Sequence, residues 1–114
     1  MIRKSKLDGG PPLIIYYSSN KLKKLCEIET LGNKVFGQKQ AEKIRQRIKE
    51  FEAAPSLHDI SRLPPPRCHE LKGNRKGCLA VVVTDNLRLI FKPGHNPAPL
   101  LSMGGLDWSA VTSI

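Results

Sequence analysis

Aromatic residues are few in this chain, with one Trp, two Tyr and three Phe among 114 residues. So few rings argue against a module that holds single strands by stacking base after base. Cysteine is also sparse. Cys26, Cys68 and Cys78 form an odd set whose spacing fits no zinc module, and the Cys68-His69 pair finds no obvious further ligands. They read as free thiols of a reducing compartment rather than as a disulfide framework, and no metal is implied. Long apolar runs are missing. The longest near the start, LIIYY at 13–17, is too short for the core of a signal peptide and far too short for a membrane span. Gly73 and Gly77 bracket NRK with no GK[ST] after them, which excludes a P-loop. There are no internal repeats. These absences leave a protein with no membrane segment, expected in the cytoplasm and using no cofactor.

What is present is positive charge. Lys and Arg number 19 against 10 Asp and Glu, giving a net charge of +9 and a sequence pI near 9.8. Such a surplus draws nucleic acid, the ribosome or an acidic protein partner, although in its plainest reading it only keeps the chain soluble. A hydrophobic fraction of 39% with 25% charged residues is that of an ordinary globular domain, and the length suits one modest core.

Residues 1–12 are basic and break at Gly9-Gly10-Pro11-Pro12, which predicts a flexible leader before a single domain over 13–114. The β-branched and aromatic run Leu13–Tyr17 predicts a short strand. Ser18, Ser19 and Asn20 are N-cap candidates for a helix carrying Leu22, Leu25, Cys26 and Ile28 and ended by Gly32. Val35, Phe36, Ala41, Ile44, Ile48 and Phe51 recur at helical spacing in a second, longer helix. Its polar face carries Lys39, Lys43, Arg45, Arg47 and Lys49, and Pro55 stops it. The segment 56–66, with three successive prolines, predicts an extended connector. Three strands are then expected at 67–71, 78–84 and 87–92, joined by turns at GNRKG and Asp85-Asn86, before a Pro- and Gly-rich loop. At the end, VTSI begins a further strand. The order predicts an α+β domain in which an N-terminal strand and a two-helix hairpin pack on a small twisted antiparallel sheet.

The chemistry concentrates at RCHELKGNRKG, 67–77, and at NLRLIFKP, 86–93. The first is a basic, glycine-punctuated loop holding His69, Lys72, Arg75 and Lys76. The second places Arg88 inside an apolar strand and ends on Lys92. An imidazole among fixed cations suits a phosphodiester, because one group exchanges protons near neutrality while the others hold phosphate charge. RNA supplies its own 2′-hydroxyl nucleophile, so no Ser or Cys nucleophile is needed. The plain alternatives are a hydrogen-bonded strand histidine, a solvated turn lysine and an Arg88–Glu70 ion pair. Arg67, Arg75, Lys76 and Lys92, with Arg45 and Lys49 on the long helix, are candidates for RNA binding through charge. His58 and His95, in Pro-flanked loops, read as incidental.

KLKKLCE at 21–27, QAEKIRQRIKEFEAA at 40–54, RCHELKGNRKG, NLRLIFKP and GGLDWSAVTSI at 104–114 together resemble the RelE superfamily of bacterial toxins, most nearly its HigB-like plasmid-maintenance killer branch. The resemblance implies a RelE-like fold and a metal-independent endoribonuclease that cleaves messenger RNA on the ribosome. It also implies restraint by a cognate, HigA-like helix-turn-helix antitoxin. By the same resemblance Arg88 clamps the phosphate and Lys72 stabilises it or exchanges a proton, while His69, the one histidine inside the basic cluster, is the residue expected to exchange protons in catalysis. Family members continue through one more strand to an aspartate-tyrosine-histidine ending that contributes to catalysis. The sequence given stops at Ile114, so a shortened domain with weakened activity is expected. Two alternatives belong to other classes: a non-catalytic member that binds antitoxin, ribosome or RNA, and a ParE-like poison of a protein target such as gyrase.

Overall fold

The computed structural model describes residues 13–114, so the expected leader lies outside the described residues. It is an α+β domain with three α-helices and a three-stranded antiparallel sheet among those residues. Helix α1 spans Asn20–Glu27, α2 Glu29–Phe36 and α3 Gln38–Ala53. Strand β1 is His69–Glu70, β2 Leu79–Thr84 and β3 Leu87–Phe91, in the order β1-β2-β3. Single 3₁₀ turns occur at Leu57–Asp59, Gly73–Arg75 and Trp108–Ala110.

The α-helical half differs from the expected two-helix hairpin. Ser19 does cap α1, its hydroxyl accepting from the Leu22 N–H at 3.1 Å. Gly32, however, does not end a helix but lies inside α2. A Cβ there would stand 2.6 Å from the Leu25 carbonyl oxygen and 3.6 Å from the Ala41 Cβ. Glycine is used at 32 because three helices meet there, a reason that hydropathy periodicity does not reveal. The break between α2 and α3 falls at Gly37, whose φ of +83° suits a residue without a Cβ.

The expected N-terminal strand is reduced to a parallel bridge, Ile14 with Ser113. Its backbone bonds are few: Ile14 N–H to the Thr112 carbonyl, Ile114 N–H to that of Ile14, and Tyr16 N–H to that of Ile114. Strand β1 is likewise shorter than 67–71. Segment 56–66 is less of a connector than its prolines suggest. Leu57 is fully buried and Ile60 nearly so, and the Leu57 N–H donates to the Val111 carbonyl at 2.9 Å.

Strand β2 presents Leu79, Val81 and Val83 to α3, where they meet Ile44 and Phe51, while β3 contributes Leu87, Leu89 and Phe91. The Phe51 and Phe91 rings meet edge to face with centroids 5.2 Å apart. A bulge between Val82 and Thr84 leaves Val83 as an extra residue in the ladder. Val82 lies past the last pair of β1, yet its backbone is satisfied: its N–H donates to the Pro66 carbonyl at 2.7 Å, and its carbonyl accepts from Arg47 Nε at 2.8 Å. Arg47 is 4% exposed and also donates to the Glu50 carboxylate at 3.1 Å. It is therefore a core residue, not part of the solvated basic face on which the sequence pattern puts it. Arg47→Ala should cost about 1–3 kcal/mol by leaving a buried carbonyl unpaired, in addition to lost packing. Lys43→Ala, at an exposed site on the same helix, should change stability by less than about 0.5 kcal/mol in a urea titration.

Candidate active site

The sheet has two unlike faces. Alternation along β3 turns Leu87, Leu89 and Phe91 toward the helices and Arg88 and Ile90 away from them. Register carries the same face across the sheet: Arg88 pairs with Val82, Ile90 with Ala80, and Ala80 with His69. His69 and Arg88 thus lie on the helix-free face, on the two outer strands, with about 10 Å of sheet between those strands.

His69 has a fixed tautomer. Its Nδ1 lies 2.8 Å from the Arg67 carbonyl oxygen, and a carbonyl only accepts, so the proton of the neutral ring is on Nδ1. Nε2 then keeps its lone pair and has no hydrogen-bond partner among the described residues. The carbonyl is aimed by backbone geometry, since Arg67 is a non-glycine residue with positive φ, at +44°. The left-handed region costs an L-residue about 1–2 kcal/mol, and such strain is common where a functional group must be held. Arg88 is exposed and forms no salt bridge among the described residues. Glu70 does not pair with it: Glu70 is turned to the opposite face and accepts from Trp108 Nε1 at 3.1 Å. The Arg62 guanidinium lies over the Trp108 ring, 3.8 Å from its centroid.

Lys72 lies just beyond β1, at a cavity whose lining includes neither His69 nor Arg88. It precedes the Gly73–Arg75 turn and, with Lys76 and Glu70, lines an open cavity of about 570 Å³ that Leu100 and Leu106 also line. Arg67, Arg75 and Lys92 are exposed, with Arg67 just before β1 and Lys92 just after β3. Arg45 and Lys49 belong to α3, on the far side of the sheet from His69. Arg45 is already engaged there, donating to Asn33 Oδ1 at 3.3 Å with Glu29 at 3.9 Å. His58 is exposed, whereas His95 is engaged: its Nε2 accepts from the Thr112 N–H at 3.0 Å. Periodicity did not signal the roles of Arg62, Trp108 and His95, which depend on contacts distant in sequence.

Among the described residues no group of three or more His, Cys, Asp or Glu side chains is arranged to hold a metal ion, and no helix is long and apolar enough to cross a membrane. All three cysteines are free. Burial pushes the Cys68 thiol up to about 12, with Arg62 opposing and Glu70 reinforcing that rise, and burial raises Tyr17 to about 12 as well. The chain was compared with family models, curated proteins and solved structures, and none of them matches it.

Two outcomes follow from this geometry. Nitrogen NMR of the neutral His69 ring should show the Nδ1–H form, and an Nε2–H ring would mean that the Arg67 carbonyl does not hold it. Above pH 9.0, the ordinary value for the Cys68 thiol, the unfolded chain loses a proton that the folded chain keeps until about 12. Stability should therefore fall by about 1.4 kcal/mol per pH unit across that window on account of Cys68, which is 1% exposed. Melting temperatures recorded from pH 8 to 11 should decline less steeply in Cys68→Ala.

Proposed function

We propose that this chain is an RNA-cleaving toxin of the RelE superfamily, HigB-like, with a RelE-like fold. In this reading it acts in the cytoplasm on messenger RNA held by the ribosome and is restrained by a helix-turn-helix antitoxin. The observation that carries the reading is His69. Its Nδ1 proton is committed to the Arg67 carbonyl, its Nε2 is free to accept a proton, and it shares a sheet face with the unpaired Arg88. The motifs RCHELKGNRKG and NLRLIFKP bring the same residues into the resemblance.

The proposed chemistry needs no metal. Nε2 of His69 takes the proton from a ribose 2′-hydroxyl, whose oxygen attacks the adjacent phosphorus. The P–O5′ bond breaks, leaving a 2′,3′-cyclic phosphate and a 5′-hydroxyl. Arg88 holds two phosphoryl oxygens through its planar fork as negative charge builds. Lys72, by the resemblance, contributes charge or the proton for the leaving oxygen, while Arg67, Arg75, Lys76 and Lys92 steer RNA by charge. Arg45 and Lys49 lie too far around the domain to join the same contact, and in this reading they are left to the ribosome or to solvent.

The test is cleavage of a reporter message in a reconstituted translation system, read by primer extension. The chain should cut on ribosomes, and His69→Ala should lower the rate by about 10²–10⁴-fold. Arg88→Lys should retain part of what Arg88→Ala loses, because charge remains while the fork is gone. Both positions are outside the core, so circular dichroism should be unchanged. Variants that cut as fast as the parent, or a parent that binds ribosomes and cuts nothing, would overturn the proposal.

A further inference from the structure

Glu70 is the sole acid in the basic stretch 67–77, which holds Arg67, Lys72, Arg75 and Lys76. Local geometry places it beside two of those cations. The Leu71 N–H donates to the Cys78 carbonyl at 2.9 Å, so pairing with β2 continues one residue past β1. Lys72 is extended, with φ −122° and ψ 175°. Side chains two apart on an extended chain share a side, with Cα atoms roughly 7 Å apart. Glu70 and Lys72 accordingly line one cavity, and Lys76 lines it too. A carboxylate so placed would ordinarily pair with a lysine and cancel its charge. Yet neither Lys72 nor Lys76 forms a salt bridge among the described residues. The Glu70 carboxylate instead accepts from Trp108 Nε1 at 3.1 Å.

Trp108 is suited to holding it. The side chain is 7% exposed and belongs to the main core, so packing rather than Glu70 sets the direction of its N–H. An indole nitrogen only donates, and when buried it needs an acceptor. We propose that Trp108 is a positioning residue: its N–H holds Glu70 aside, which leaves Lys72 and Lys76 as free cations for the phosphates of an RNA strand. Strand β1 is at the edge of the sheet, so RNA engaged at His69 can pass round it to these lysines. The inference rests on the reading of this chain as an RNA-acting toxin, but it concerns binding and not the cut.

The test uses the whole chain and a fluorescein-labelled RNA dodecamer with 2′-O-methyl riboses, which offers no nucleophile, in anisotropy titrations at several salt concentrations. Trp108→Phe keeps an aromatic ring in the core and removes the donor. It should weaken binding about two- to fivefold at low salt and flatten the slope of log affinity against log salt by roughly 0.7, the loss of one phosphate contact. Glu70→Gln added to Trp108→Phe should restore both, whereas in the parent it should change affinity less than about twofold. Lost affinity that Glu70→Gln does not recover would mark a merely structural tryptophan and overturn the proposal. So would undiminished binding by Trp108→Phe, or a parent that does not bind the RNA. Glu70→Ala, at an exposed position, gives a check on the intact core: it should shift the indole N–H signal of the single tryptophan, and an unmoved signal would also overturn the proposal. A chain that binds as expected yet cuts nothing on ribosomes would overturn the cleavage reading and leave this inference standing.

Discussion

The backbone of Val82 links the parts of this domain. Its carbonyl lies beyond the end of a very short β1 and next to a bulge, where a buried acceptor would ordinarily be destabilising. Arg47 supplies the missing donor from α3, and the Val82 N–H fixes Pro66, from which the chain turns through Arg67 to His69. Val82 is also the register partner of Arg88. One residue therefore ties the helical layer, the Pro-rich segment and both outer strands together. The relative placement of His69 and Arg88 depends on it.

The helix-free face combines a held imidazole with a free guanidinium. The opposite face of the same strands is apolar and sealed by α3, which divides the positive charge of the protein into unconnected regions. Arg88 and Lys92 belong to the open face, Lys72 and Lys76 to the turn beyond β1, and Lys49 to the outer surface of the helix. Net charge attracts a polyanion to all of these without distinction. On the open face an imidazole with a defined tautomer accompanies a free cation.

Much of this was legible in the sequence. The β2 and β3 strands, their Asp85-Asn86 turn, the Ser19 cap and the α+β class all follow from local pattern, because each is decided by neighbours in the chain. The basic stripe on α3 was misleading at Arg47, since a long aliphatic stem ending in a guanidinium follows the same periodicity whether it faces solvent or reaches a carbonyl across the core. Gly32 has the look of a helix terminator, and only the approach of the Leu25 carbonyl explains it. For the site, sequence named His69 and Arg88. It did not convey that Arg67 adopts a left-handed conformation, nor that Lys72 lines a cavity with Lys76 and Glu70, because both depend on where a two-residue strand ends.

The contact between Ile14 and Ser113 joins positions about 100 residues apart, and Leu13, Val111 and Ile114 bring both ends of the described chain into the main core. Closing so long a loop costs about 4 kcal/mol of chain entropy before any packing offsets it. During synthesis the helices and the β2–β3 hairpin have all their local partners early, while the core between them stays incomplete until residues 111–114 leave the ribosome. The domain is thus expected to gain protection from proteases late and cooperatively, with a nascent chain halted before Val111 remaining a substrate for degradation.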